Sequence, residues 1–128
     1  INLLYEKIFN IWSILERSNG FNIYYFLQPF PSWFNKNLTK EEVSLFKLLD
    51  NSDNRAHTIL NEISNDEIYQ KYSNVIKQTS KKHSIKYINL NDEILTNEKR
   101  NDWLFVDRVH MTDLGYSMLA KLIFNYIK

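Results

Sequence analysis

The sequence predicts an α/β fold of the layered kind, and three observations carry that expectation. Stretches with helical period alternate with two short strand-like segments, an apolar run near residues 21–28 and an alternating apolar and polar one near 85–90. Strands separated by helices favour parallel pairing through right-handed crossovers. The chain then finishes on an amphipathic helix over residues 113–127. At 128 residues, 44% hydrophobic and 15% aromatic, it is long enough to bury a real core and forms one domain or a portion of one.

Leu4, Ile8, Ile11, Trp12 and Leu15 recur at helical spacing, and Ser18-Asn19-Gly20 should end that first helix. Phe21 to Leu27 is almost wholly apolar and lies between Gly20 and Pro29, so it reads as a buried strand. Two prolines and two asparagines make Pro29 to Leu38 a loop. Thr39-Lys40-Glu41-Glu42 is a capping box, opening a helix that should turn Val43, Phe46, Leu48 and Leu49 to the core. Asp50 to Asn54 breaks it. Helices over 55–63 and 66–81 follow, with Ser64-x-x-Glu67 as a second capping box. Ile85 to Leu90 reads as the second strand, with Ile85, Tyr87 and Ile88 inward. Asn91 to Asp102 is polar and loop-like, with one turn around Glu93 to Leu95. Trp103 to Val106 is an apolar patch, and the last helix turns Leu114, Met118, Leu119, Leu122, Ile123 and Tyr126 inward. A run as apolar as Ile23 to Leu27 calls for neighbours on both edges, and two strands alone do not supply them.

Composition excludes several functions. Sixteen basic against fifteen acidic residues leave a net charge of +1, with no field to attract a nucleic-acid backbone. Zero cysteines exclude disulfides, thiolate metal sites and a cysteine nucleophile. No apolar run approaches the ~20 residues of a membrane span, and no targeting pattern is present. Only Gly20 and Gly115 are available where average usage of about 7% would give roughly nine glycines. Glycine-dependent phosphate loops and nucleophile elbows are therefore missing, and no cofactor is expected. No histidine pair has metal-ligand spacing, which argues against a metal site.

The densest chemistry lies in Phe105-Val106-Asp107-Arg108-Val109-His110-Met111-Thr112-Asp113-Leu114-Gly115. An aspartate and a histidine three residues apart can share one side of a tight turn. The carboxylate then fixes the imidazole tautomer and leaves the other nitrogen as a general base. Thr112 is placed to cap the last helix, with His110 just before its N-terminus. Gly115 removes a side chain where that helix can approach another backbone. Alone, Asp-x-x-His is an ordinary loop pattern, and its surroundings give it weight.

In those surroundings the sequence resembles the SGNH or GDSL-type hydrolases, whose last block is an Asp-x-x-His followed by a small polar residue, a glycine and an amphipathic helix. Asp107, His110, Thr112 and Gly115 fit that block. Tyr24-Tyr25-Phe26-Leu27-Gln28-Pro29 is similar to the strand-end Leu-Gln-Pro of one branch, where a Thr-x-x-Glu helix start also follows. The resemblance implies a flavodoxin-like three-layer α/β/α sandwich and a Ser-His-Asp esterase or acylhydrolase, with His110 and Asp107 as the catalytic pair. The Gly-Asp-Ser block of the nucleophile, and the later blocks bearing the oxyanion-hole glycine and asparagine, have no counterpart here. The implied reading is that residues 1–128 form the C-terminal portion of one such domain, inactive by itself. Its expected partners are the missing N-terminal half-domain, an ester substrate such as an O-acetyl, lipid or carbohydrate ester, and further copies of itself through an exposed strand edge. The rival is a non-catalytic binding domain or degenerate remnant that keeps the fold without a nucleophile.

Other candidates have plainer alternatives. Gln28 ends a strand on the side where parallel α/β sheets bind ligands, and it either orients substrate or bonds the following loop. Trp33 and Phe34 either line an acyl or sugar pocket or cover the core. His57, His83 and the Lys81-Lys82-His83 helix end read as solvated residues, the last favoured by the helix dipole.

Overall fold

The computed structural model describes residues 2–51, 55–95 and 101–128. In chain order these form α1 (Asn2–Asn19), β1 (Tyr24–Leu27), α2 (Lys40–Asp50), α3 (Arg55–Ile63), α4 (Asp66–Lys82), β2 (Lys86–Asn89), α5 (Leu90–Leu95) and α6 (Asp113–Ile127). The architecture is mixed α/β, with helices around a small parallel sheet. β1 and β2 pair in register from Tyr24 opposite Lys86 to Leu27 opposite Asn89.

Side chains alternate across that sheet and meet different helices on its two faces. Tyr24, Phe26 and Ile88 pack with Ile94 of α5 and Met118 and Leu119 of α6. Tyr25 and Tyr87 pack on the other face with Phe9 of α1 and Ile76 of α4. Leu27 sits with Trp33 and Tyr69. The inward set expected for β2 is found, with Ile85 and Ile88 buried and Tyr87 packed in the core, but the strand is shorter than expected and uses both of its faces. Ile85 precedes the strand, while Tyr87 and Ile88 serve opposite faces because both are covered.

The α1 stripe is corrected in part, since Ile8 and Trp12 pack inward but the other three do not. Leu4, Ile11 and Leu15 are 60%, 56% and 44% exposed, while Phe9 is fully buried. The face turned to the sheet is aromatic: Tyr5, Phe9 and Trp12 all have ring centroids within 6.2 Å of the Tyr25 ring. Aromatic rings bury more area per residue than the aliphatic row beside them, and that decides the rotation of the helix. Gly20 ends α1 at φ 71°, its N–H donating to the Glu16 carbonyl.

The capping box at Thr39 is present in full, with Glu42 reaching back to the Thr39 N–H. Of the α2 residues expected inside, Phe46 is buried but Leu48 is exposed. The second capping box does not form. Asn65 caps α4 through the Ile68 N–H, and the Ser64 hydroxyl donates instead to the Leu60 carbonyl at the end of α3. Leu90 to Leu95 is a helix where a loop with one turn was expected. No described helix is long and apolar enough to cross a membrane.

Candidate functional site

Residues 104–112 form a small hairpin. The Thr112 N–H donates to the Leu104 carbonyl at 2.8 Å, the Val106 N–H donates to the His110 carbonyl at 3.0 Å, and Phe105 bridges Met111 in antiparallel fashion. Its tip holds Asp107 and His110. Asp107 Oδ1 accepts from the N–H groups of Val109 at 2.7 Å and His110 at 2.6 Å. Its Oδ2 lies 2.7 Å from His110 Nδ1. With Nδ1–H as donor, the neutral imidazole keeps Nε2 as its basic nitrogen. Partial burial pushes the Asp107 carboxyl up, but the His110 and Val109 N–H groups and the imidazole outweigh it and hold it below the usual range. The His110 side chain is 67% exposed. Among the described residues no serine hydroxyl bonds either member of the pair.

Two contacts fix the hairpin from below. Glu42 is completely buried, and its Oε1 accepts from the N–H groups of Leu104 at 2.9 Å and Phe105 at 3.0 Å. Its Oε2 accepts from the Thr39 N–H at 2.8 Å and from Lys36 Nζ at 2.6 Å, inside a fully buried ion pair. Thr112 caps α6 through the Gly115 N–H, and its hydroxyl donates to the Trp103 carbonyl at 3.0 Å. Gly115 brings α6 close to the Leu104 backbone, the approach read from the sequence. The sequence signal at Glu42 was a cap only. A carboxylate gripping a loop 62 residues onward has no local signature.

The strand end is fixed separately. Gln28 Nε2 donates to the Val109 carbonyl at 2.7 Å, joining the end of β1 to the hairpin tip. Asn91, fully buried, accepts from the Phe30 N–H and donates to the Gln28 carbonyl. In the sequence Asn91 is simply one residue of a polar stretch. Beside these contacts lies a pocket of about 430 Å³ lined by Tyr25, Gln28, Phe30, Trp33, Ile68 and Val109, among others. Trp33 is buried, its ring 4.3 Å from Phe30 and 5.0 Å from Tyr69 by centroid. Gln28 and Trp33 thus border one cavity next to the Asp107–His110 tip. Phe34 faces away from it, in the core with Phe105.

Arg108, also in the tip, forms a two-pronged pair with Asp50 at 3.1 and 2.5 Å and lies over the Phe46 ring. His83 is not simply solvated. It caps α4, and its Nε2 lies 2.8 Å from Glu6 of α1. The His57 side chain lies outside the described residues. Among the described residues, no three His, Cys, Asp or Glu side chains gather as a metal site. No protein-family model matches the sequence, and a search of curated proteins finds no match either.

Proposed function

We propose that this chain supplies the general base and its orienting carboxylate to a serine esterase of the SGNH type, the nucleophilic serine coming from sequence outside these 128 residues. The observation that carries the reading is the Asp107–His110 pair, with the carboxylate on Nδ1 and the imidazole standing out from the hairpin tip. Asp107 is tied down by two backbone N–H groups, so it orients the ring without needing to move.

In the complete enzyme, His110 Nε2 takes the proton of the serine hydroxyl as its oxygen attacks the ester carbonyl. The ester C–O bond breaks, and the same proton passes to the departing alcohol. Water then attacks the acyl-serine with His110 again taking a proton, releasing the acid and restoring the serine. In this reading the two strands belong to a flavodoxin-like three-layer sandwich, continued by a strand along the outer edge of β1.

The test joins the chain to a half-domain bearing the Gly-Asp-Ser block. Hydrolysis of small acyl esters should appear only in the joined form, and His110→Ala should lower kcat by several orders of magnitude. Turnover that survives His110→Ala would leave the pair without a catalytic part, and a joined form that binds esters without hydrolysing them would favour a binding domain.

A further inference from the structure

We infer that the pocket at the end of β1 binds an uncharged, apolar chain and, resting on the esterase reading above, that this chain is the acyl part of the ester. Its volume of about 430 Å³ lies within the range of small-molecule sites, roughly 300–1,000 Å³. None of the side chains lining it carries a charge at neutral pH. Three of the polar side chains that line it are each already hydrogen-bonded within the protein. Gln28 donates to Val109, the Trp33 indole N–H donates to the Ile63 carbonyl, and the Tyr72 hydroxyl bonds that of Tyr5. Burial, with the Tyr5 hydroxyl, pushes the Tyr72 phenol up to about 12 against the opposing pull of the Tyr25 hydroxyl, so it stays neutral.

A phosphate or a carboxylate would meet no cation in this cavity, and a sugar's hydroxyls would find few polar partners on its walls to replace their hydration. An alkyl chain loses nothing there and removes the apolar walls from water. Position completes the argument. Val109 forms one wall and is the neighbour of His110, while Ile63 and Ile68 at the α3–α4 corner form others. A chain lying in the pocket can therefore present a carbonyl at its end beside the imidazole. An acetyl group would leave most of the volume unfilled.

The experiment titrates the 128-residue chain with straight-chain 1-alkanols from butanol to octanol, followed by amide and indole NMR shifts. Octanol should saturate one site, moving Gln28, Trp33 and Val109, with affinity rising about fourfold per added methylene. Ile68→Arg should weaken octanol binding at least tenfold, and Ile68→Trp, which fills the mouth without charge, should do the same. Ile59→Arg, an exposed apolar position on α3 outside the pocket, should leave it unchanged. His110→Ala should also leave it unchanged, since binding needs no base. Shifts that never saturate, that spread along the exposed row of α1, or that fall equally with Ile59→Arg would overturn the assignment. Ester hydrolysis by the joined enzyme without octanol binding would remove the pocket and keep the esterase. Octanol binding beside an inert joined enzyme would keep the pocket and remove the esterase.

Discussion

Gly115 stands so close to Leu104 that a β-carbon on it would lie 2.5 Å from the Leu104 carbonyl oxygen, and 2.9 Å from the Met111 β-carbon. Leu104 accepts from Thr112 at the base of the hairpin, so its oxygen cannot retreat without loosening the loop that carries His110. In an exposed helix, alanine is favoured over glycine by about 1 kcal/mol. Here the sign should reverse. Gly115→Ala should destabilise the chain by about 1–3 kcal/mol in urea unfolding. Ser117→Ala, exposed on the same helix, should be neutral or slightly stabilising. A stabilised Gly115→Ala would mean that α6 and the hairpin can separate freely.

Glu42 and Lys36 form a pair with no side-chain exposure on either partner. Removing one charge from such a pair strands the other, at about 3–5 kcal/mol. Glu42→Gln should therefore be among the most destabilising single changes in the chain, while the double variant Lys36→Met/Glu42→Gln should recover part of the loss. The exposed pair of Lys71 and Glu67, also 2.6 Å apart, is the control, and Glu67→Gln should change nothing measurable. A double-mutant cycle by denaturant unfolding reads the coupling directly. Additive losses would show that Lys36 is not what the carboxylate needs.

Asp107 gives a pH dependence with a definite sign. Its carboxyl is held below the ordinary value, so its folded form binds the proton less readily than the unfolded chain does. The stability it contributes is present above the unfolded pKa of about 3.9. It disappears as pH falls through the lowered folded value. The wild-type advantage over Asp107→Ala should be constant above about pH 5 and shrink on acidification, measured by thermal unfolding at stepped pH. An advantage that instead grew on acidification would mean that the carboxyl is protonated in the hairpin.

What the sequence revealed and what it hid divide along sequence distance. The capping box at Thr39, the stop at Gly20, the α6 boundary and the Asp107–His110 contact are all settled within three or four residues, so spacing alone exposes them. The rotation of α1 depends on Tyr25, 16 to 20 positions from Phe9 and Tyr5, and period alone could not choose between its aromatic and aliphatic rows. Ser64 and Asn65 both suit a cap, and the end of α3 took the serine. Glu42 and Asn91 escaped for the same reason. A buried polar residue that holds a distant backbone looks, in sequence, like any polar residue at a helix end.

The outer edge of β1 has no strand on it among the described residues. Exposed Leu4, Ile11 and Leu15 line the helix that packs across that strand. Such edges recruit other chains, and each large side chain covered contributes ~1.5–3 kcal/mol. Sedimentation should show association that grows with concentration. Ile11→Lys with Leu15→Lys should reduce it without lowering the melting temperature. A dispersed monomer with an ordinary cooperative melt would remove the expectation of a partner half-domain.

The bond between Gln28 and Val109 spans 81 positions, and this sets the order in which the site comes into being during translation. At about 5–20 residues per second, the ribosome adds Val109 roughly 4–16 s after Gln28. For that interval β1, α3 and α4 can fold around an unfinished cavity, open on the side that Val109 later closes. The imidazole of His110 follows one residue behind that wall, so the closing of the cavity and the arrival of the basic nitrogen fall together, late in synthesis.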